Sequence, residues 1–334
     1  MGNDLSESRS PMHGNSWQGF LDIFQKNNFE IELNNFHDTD FDGLICFNFV
    51  KPMKECKSIF SSEVPFKALV ILEPKVVHPL AHSIQILNHF NIIISTSPKW
   101  NLADRQMNFK YPLVVDTFDF TEISKRKISV AMIQANKFSC IKGEQYSLRR
   151  NLVNRAINGD LPLTLAGPGW DESKNTLRIA IFKYFLKTFT QVNFLKLTNP
   201  FRFLISNPNF WIGPVDNKIS FLDSVKRNVV IENSNDYVSE KLIDSFRAGS
   251  VPFYVGPDLS NFGIPPNLIV ECEPTVSDII YKLKSTSDNK LQEIQNNISL
   301  YLSSGGLNEW NHSFASLKIA NRIIEEFHKT SNQS

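Results

Sequence analysis

Short apolar runs alternate with amphipathic segments along most of the chain. Runs such as FKALVIL and NIIIS have the length of buried strands, and none approaches the ~18 apolar residues of a membrane span. The segments between them, such as EQYSLRRNLVNRAING and TLRIAIFKYFLKTFTQ, carry apolar residues at helical spacing. Because strands separated by helices favour a mainly parallel sheet covered on both faces, the pattern predicts an α/β fold.

The alternation stops at a charged link, EISKRK, and restarts with the strand-like run KISVAMIQ. At about 150 residues per domain, a chain of 334 residues suggests two domains. We therefore predict a disordered lead-in over residues 1–16, a first domain over 17–124 and a second domain over 125–310. Residues 311–334 predict a final amphipathic helix, which either packs back on the first domain or serves as an ordinary packing helix.

Charge and composition exclude several classes of protein. Lys and Arg total 35 and Asp and Glu total 34, so nothing predicts binding to nucleic acid or to an acidic membrane surface. The four cysteines lie far apart without metal-ligand spacing, which is typical of reduced thiols in a cytosolic protein. The polar start MGNDLSESRSPMHGNSW lacks the basic end and apolar core of a signal peptide. Together these features predict a soluble, cytoplasmic protein.

Polar residues concentrate where the apolar run VVIEN meets the helical segment YVSEKLIDSFRAG. Ligands of open parallel sheets bind at the carboxyl ends of the strands, which is where Glu232 and Asn233 emerge. In the predicted helix that follows, Tyr237, Glu240 and Lys241 share one face near the first turn. The spacing therefore predicts a polar site at the join of strand and helix.

The chemistry of this join suits a nucleoside diphosphate. Ser234 or Asp236 is the expected N-cap of the helix, and Gly249 is its expected terminator. A helix N-terminus offers unpaired N–H groups to a phosphate, and Lys241 adds a cation within reach. A carboxylate such as Glu240 can accept hydrogen bonds from both ribose hydroxyls. The alternative is a solvated helix face that carries an intrahelical ion pair.

The same stretch resembles the donor site of nucleotide-sugar glycosyltransferases of the GT-B type. The resemblance lies in the order of glutamate, helix, Ala-Gly, proline, apolar strand and glycine. Glu232 and Glu240 also stand at the E-x7-E spacing of retaining members, although the glycines that normally follow the first glutamate are absent.

Residues 228–269 resemble the α-1,3/4-fucosyltransferase family more specifically. The family's pattern, roughly F-E-N-S, D-Y-x-T-E-K and A-G-x-V-P-x-x-x-G, is matched by IENS, DYVSEK and AGSVPFYVG. Ile231 stands in place of the usual phenylalanine, Ser239 in place of threonine, and Asn235 is the whole spacer. Fainter matches extend the resemblance over most of the chain from about Lys67.

The resemblance implies a GT-B fold, in which two Rossmann-like domains face each other across a cleft. It implies transfer of L-fucose from GDP-β-L-fucose to an acceptor glycan with inversion, usually at the 3-OH of an N-acetylglucosamine or glucose unit. Glu73, which ends the run LVILE in the first domain, is then the general base that activates the acceptor hydroxyl. The oligosaccharide acceptor itself is not specified by any residue.

Further residues are assigned to the donor by the same resemblance. Arg150 is the first candidate for the diphosphate and Arg149 the second, and Lys241 contacts the same group. Glu240 holds the ribose, and the remaining donor-binding residues are Asn233, Tyr237 and Glu232. No Asp-x-Asp pair follows a predicted strand, so we expect no obligatory metal, with a stimulatory divalent cation left open.

Two alternatives remain at this point. One is a retaining GT-B enzyme that uses the Glu232 and Glu240 pair with another nucleotide sugar. The other is a non-catalytic protein that binds a nucleotide or a carbohydrate on the same fold.

Overall fold

The computed structural model describes residues 15–32, 40–48, 57–97, 102–113, 119–139, 141–170 and 208–332. The predicted lead-in lies outside these ranges apart from Asn15 and Ser16, and the helix predicted over 176–191 lies outside them entirely. The chain forms two compact units. The first holds the described residues up to 113, Asp236–Val238 and the chain from Gly305 onward. The second holds the described residues from 119 to 235, together with Ser239–Ser304.

The helices of the described ranges are numbered in chain order. They are α1 Asn15–Lys26, α2 Lys57–Phe60, α3 Ile84–Leu87, α4 Tyr146–Ile157, α5 Lys218–Asp223, α6 Glu240–Arg247, α7 Val276–Ser285, α8 Asp288–Ser303 and α9 His312–Ser331. None of these helices reaches the length and hydropathy that crossing a bilayer requires.

The first unit contains a four-stranded parallel sheet with the strands in sequential order. Its strands are β1 Gly43–Phe47, β2 Phe66–Ile71, β3 Ile92–Ser95 and β4 Gln106–Asn108. β2 and β3 are buried along their whole length, as expected for mainly apolar strands in a covered parallel sheet. The final helix α9 belongs to this unit, where Phe327 packs edge-on against Phe66 and Phe29 at 5.4 and 5.2 Å between ring centroids.

The second unit contains a five-stranded parallel sheet in the order β6-β5-β7-β8-β9. Its strands are β5 Ile128–Ile133, β6 Thr164–Ala166, β7 Val225–Ile231, β8 Val251–Val255 and β9 Val270–Glu271. The chain adds β6 on one side of β5 and later adds β7 on the other side. The carboxyl ends of β5 and β7 therefore flank a topological switch point, which is where open α/β sheets bind ligands.

Arg126 holds together the opposite end of this unit. Its buried guanidinium donates to the carbonyl oxygens of Leu222, Val225 and Ala248 at 3.0, 2.9 and 2.8 Å. These residues lie in α5, at the start of β7 and at the end of α6, so one side chain joins three elements. Burial lowers the pKa of Arg126 to about 10 against the opposing effect of Asp223, and the group keeps its charge at neutral pH.

Helix α6 ends where the sequence predicts, at Gly249. This residue has φ 61°, in the left-handed region that favours glycine. A Cβ atom here would lie 2.4 Å from the ring of Phe120, so steric space also excludes a side chain. The connection from α6 to β8 thus depends on Gly249, because any other residue there would force the backbone or the Phe120 ring to move.

Candidate active site

The candidate site begins at the carboxyl end of β7, beside the switch point. The backbone N–H of Glu232 continues the sheet by donating to the carbonyl of Val255 at 2.9 Å. Its side chain is fully buried, with 0% exposure, although Glu232 is a charged residue at a strand end. A buried carboxylate has to be compensated by hydrogen bonds or cations, and both are present here.

Ser239 provides the hydrogen bonds for this carboxylate. The Ser239 N–H donates to one carboxylate oxygen of Glu232 at 3.0 Å, and the Ser239 hydroxyl donates to the other at 2.6 Å. Ser239 has extended backbone angles, φ −108° and ψ 179°, and its side-chain oxygen accepts from the N–H of Lys241 at the start of α6. It is therefore the N-cap of the helix.

The prediction that Ser234 or Asp236 caps this helix is wrong. The helix begins at Glu240, so Tyr237 lies before it and does not share a helical face with Glu240 and Lys241. Helical spacing alone could not locate the first turn, because Tyr237 before the N-cap falls at the same spacing as the helical residues Glu240 and Lys241. The triplet Ser-Glu-Lys was the available signal, since serine is among the strongest N-cap residues.

Lys241 lies beside the same serine. Its ammonium donates to the Ser239 hydroxyl oxygen at 2.7 Å and lies 3.6 Å from the carboxylate of Glu232. The side chain is 14% exposed, so the cation is largely shielded from water. A cation with low exposure at a helix N-terminus is well suited to a phosphate group.

Glu240 occupies the first position of α6 and remains partly accessible, with a side chain that is 31% exposed. Burial raises its pKa, but the charges of Lys241 and Lys218 outweigh that effect and lower it below the ordinary value. The ammonium of Lys218 lies 3.8 Å from the Glu240 carboxylate and 3.9 Å from that of Asp244. Glu240 is therefore an ionised hydrogen-bond acceptor at neutral pH.

Arg149 on α4 reaches the end of β7. Its guanidinium donates to the carbonyl of Ile231 at 2.6 Å and to the side-chain oxygen of Asn233 at 2.9 Å. The guanidinium carbon also lies 4.8 Å from the centre of the Tyr146 ring. Burial is the main cause that lowers the pKa of Arg149 to about 10, so the buried group stays cationic at neutral pH.

Arg150 contacts the loop that follows β5 and the first turn of its own helix, α4. It donates to the carbonyl of Lys137 and, at 3.2 Å, to the hydroxyl of Ser147. Its guanidinium carbon lies 5.9 Å from the centre of the Phe138 ring. Arg149, the second choice from the sequence, is the arginine that donates to Asn233 in the β7–α6 connection.

Glu73 lies in the first unit, two residues beyond the end of β2. Its N–H donates to the side-chain oxygen of Asn48 at 3.3 Å, and its carbonyl lies 2.9 Å from the Nε2 atom of His82. Asn48 also accepts from the N–H of Leu72 at 2.8 Å and has φ 47°, which asparagine tolerates better than most residues. The backbone that carries Glu73 is thus fixed from both sides.

Tyr237 also belongs to the first unit. Its side chain is 1% exposed, and its ring stands edge-on to Tyr111 at 6.1 Å between centroids. The structure brings together Arg149, Glu232, Asn233, Glu240 and Lys241 in the second unit. Sequence reasoning assigned no role to Asn48, His82 and Ser239, and of these only Ser239 carried a local signal.

The first comparisons concern the whole fold. No protein-family model matches the chain. The crystal structure described as Anabaena Alr3699/HepE in complex with UDP and glucose aligns with a TM-score of 0.54 at 8% identity, over 92% of this chain and 81% of that one. A crystal structure described as an alpha1,3-fucosyltransferase aligns with a TM-score of 0.48 at 13% identity, over 98% of this chain and 93% of that one. The predicted α/β fold of the GT-B type is confirmed.

Two curated relatives are similar in sequence to part of the chain. The 4-galactosyl-N-acetylglucosaminide 3-alpha-L-fucosyltransferase 9 proteins of Homo sapiens and Bos taurus are each 35% identical over 91 residues. The match covers 26% of this chain and 24% of each relative, about a quarter of their length. The resemblance to the α-1,3/4-fucosyltransferases is confirmed over the 91 matched residues.

Proposed function

We propose that the chain transfers L-fucose from GDP-β-L-fucose to a hydroxyl of an acceptor glycan. The anomeric configuration inverts, and the product is an α-1,3-fucoside on an N-acetylglucosamine or glucose unit. The observation that carries the proposal is that Arg149 and Lys241 both reach the same β7–α6 connection, which flanks the switch point. The 35% identity to 3-alpha-L-fucosyltransferases supports fucose as the transferred sugar.

The donor is held by this connection. Lys241, Arg149 and the N-terminus of α6 bind the diphosphate, with Asn233 orienting the arginine. The partly exposed carboxylate of Glu240 accepts hydrogen bonds from the ribose. As the bond to fucose breaks, negative charge grows on the departing GDP, and preorganised cations stabilise that charge electrostatically. The proposed reaction uses no metal, and comparing rates with and without a chelator tests for stimulation by a divalent cation.

Glu73 is the proposed general base. It takes the proton from the acceptor hydroxyl as that oxygen attacks the anomeric carbon of fucose. Asn48 and His82 support this role, because they fix the backbone on either side of the carboxylate. A base held in one position loses less entropy on reaching the transition state.

The retaining alternative requires Glu232 and Glu240 to act on the sugar together. The contacts disfavour this reading, because Glu232 is 0% exposed and both of its oxygens accept from Ser239. A turnover assay distinguishes the non-catalytic alternative, since a binding protein would be stabilised by GDP without forming product.

A cytoplasmic location remains part of the proposal, and fractionation of the native cells tests it.

The donor is identified by thermal shift followed by turnover. GDP, GDP-fucose, GDP-mannose, UDP-glucose and ADP-glucose are compared, because selective stabilisation follows affinity for the folded state. Product is then sought on a glycan array with the stabilising donor. The proposal predicts stabilisation by GDP and GDP-fucose together with fucosylated product. Stabilisation by UDP-glucose alone, or GDP binding without transfer to any glycan, would contradict it.

A further inference from the structure

The hydroxyl of Ser239 connects three functional groups at the start of α6. It donates to Glu232 at 2.6 Å and accepts from the ammonium of Lys241 at 2.7 Å and from the Lys241 N–H at 3.4 Å. A hydroxyl has one proton and two lone pairs, so these three contacts use its full hydrogen-bonding capacity. The helix cap, the buried carboxylate and the cation therefore depend on one atom.

Glu232 fixes the orientation of this hydroxyl. Its two oxygens accept from the N–H and the O–H of Ser239, which leaves the lone pairs of the hydroxyl directed at Lys241. A glutamine amide does not reproduce this arrangement, because its NH2 end would donate to the Ser239 hydroxyl and compete with Lys241 for a lone pair. The Glu232 side chain is fully buried, so water does not compete for its hydrogen bonds.

We infer that Glu232 and Ser239 form a positioning pair, which holds the ammonium of Lys241 at the N-terminus of α6 in place for the donor diphosphate. This inference rests on the proposed function and assigns Glu232 a role other than contact with the donor. An ammonium has three donors, so the bond to Ser239 leaves two for phosphate oxygens. Placing the cation before the donor arrives reduces the entropy lost on binding.

The test measures the affinity of the full-length chain for GDP by titration calorimetry. Ser239→Val removes the hydroxyl, and we expect GDP to bind roughly ten-fold more weakly, the effect of one charge-assisted hydrogen bond. Ser239→Thr keeps the hydroxyl, so we expect its affinity for GDP to equal that of the wild type. If Ser239→Val folds poorly, Glu232→Gln is the second variant, and we expect it too to bind GDP more weakly than the wild type.

Two controls separate positioning from loss of the helix cap. Ser287 caps α8 in the same unit by accepting from the N–H of Lys290, so Ser287→Val loses a cap without touching the site. We expect its GDP affinity to equal that of the wild type. In a Lys241→Ala background, Ser239→Val should cause no further loss of GDP affinity, because the group that it positions is gone.

Steady-state kinetics add a second readout. Ser239→Val should raise the KM for GDP-fucose and lower kcat, whereas cap loss alone lowers the melting temperature and leaves both constants unchanged. Equal GDP affinity of Ser239→Val and the wild type, or losses that multiply in the Lys241→Ala background, would overturn the inference. Failure of the wild type to bind GDP is a separate result, which overturns the proposed function and the inference with it.

Discussion

The guanidinium of Arg149 donates to the side-chain oxygen of Asn233 at 2.9 Å, which links α4 to the residue that follows Glu232 at the end of β7. The same arginine binds the carbonyl of Ile231, so the guanidinium lies at the carboxyl edge of the sheet. Arg149 is 2% exposed and remains cationic at neutral pH, with a pKa of about 10. A cation at this edge of the sheet is well placed for a phosphate.

Arg149→Lys should impair turnover more than Arg150→Lys. Lysine keeps the charge but lacks the planar fork that contacts both Ile231 and Asn233. We expect kcat/KM for GDP-fucose to fall by about 10²-fold in Arg149→Lys, the usual effect of losing one preorganised hydrogen-bond donor. Initial rates of both variants check this, and a larger loss in Arg150→Lys would restore the preference drawn from sequence.

Asn48 should support catalysis without contacting the substrate. Asn48→Gly keeps the backbone at φ 47° and removes the side-chain oxygen that accepts from the N–H groups of Leu72 and Glu73. The carboxylate of Glu73 then loses a fixed position, and we expect kcat to fall roughly ten-fold with little change in donor KM. Asn28→Gly is the matched control, since Asn28 also has positive φ at 62°, and it should leave kcat unchanged. Equal rates for both variants would contradict the prediction.

Arg126 should be among the residues on which stability depends most. Arg126→Met leaves the carbonyl groups of Leu222, Val225 and Ala248 without their buried donor. We expect the free energy of unfolding to fall by about 3 kcal/mol, since an unsatisfied buried acceptor keeps its full desolvation cost. Urea denaturation measures the change. Arg155→Met is the control, because Arg155 is 53% exposed in its ion pair with Asp160 and such pairs contribute little.

Asp244 should make stability fall as the pH rises. Burial raises its pKa from 3.8 to about 6 despite the nearby charge of Lys218. The folded state therefore binds the proton more tightly than the unfolded state, so this stabilisation is complete below about pH 4 and is lost as the pH passes 6. Asp244→Asn removes the titration and should be more stable than the wild type at pH 7.5, by on the order of 2 kcal/mol. Urea denaturation from pH 4 to 7.5 should show this difference shrinking toward acid pH, whereas a constant difference would contradict the prediction.

The sequence predicted features that depend on local pattern. β2 and β3 are mainly apolar, with Lys67 and Ser95 as the polar exceptions, and such runs become buried strands of a covered parallel sheet. Gly249 was recognisable as the end of α6, because few other residues adopt its backbone angle. The resemblance in residues 228–269 predicted a candidate site at the end of β7, where the structure brings Asn233 to Arg149 and Glu232 to Lys241.

Features that depend on tertiary contact could not be predicted in the same way. Arg149 and Arg150 are adjacent in sequence, and which of them reaches Asn233 depends on how α4 is rotated against β7. His82 binds the carbonyl of Glu73 from nine residues away, and no pattern in the chain marks it. The N-cap was misplaced because Ser234, Asp236 and Ser239 are all acceptable capping residues, and folding selects one of them.

Transfer of radiolabelled fucose from GDP-fucose to N-acetylglucosamine-containing acceptors, with wild type and Glu73→Gln side by side, tests whether the chain is a fucosyltransferase that uses Glu73 as its base. Glu63→Gln, an exposed substitution in the same unit, is the control. We expect an α-1,3-fucosylated product from the wild type and the control, and a rate at least about 10²-fold lower in Glu73→Gln, whose GDP affinity is unchanged. Equal rates for Glu73→Gln and the wild type, or no fucosylated product from the wild type with any acceptor, would contradict the proposal.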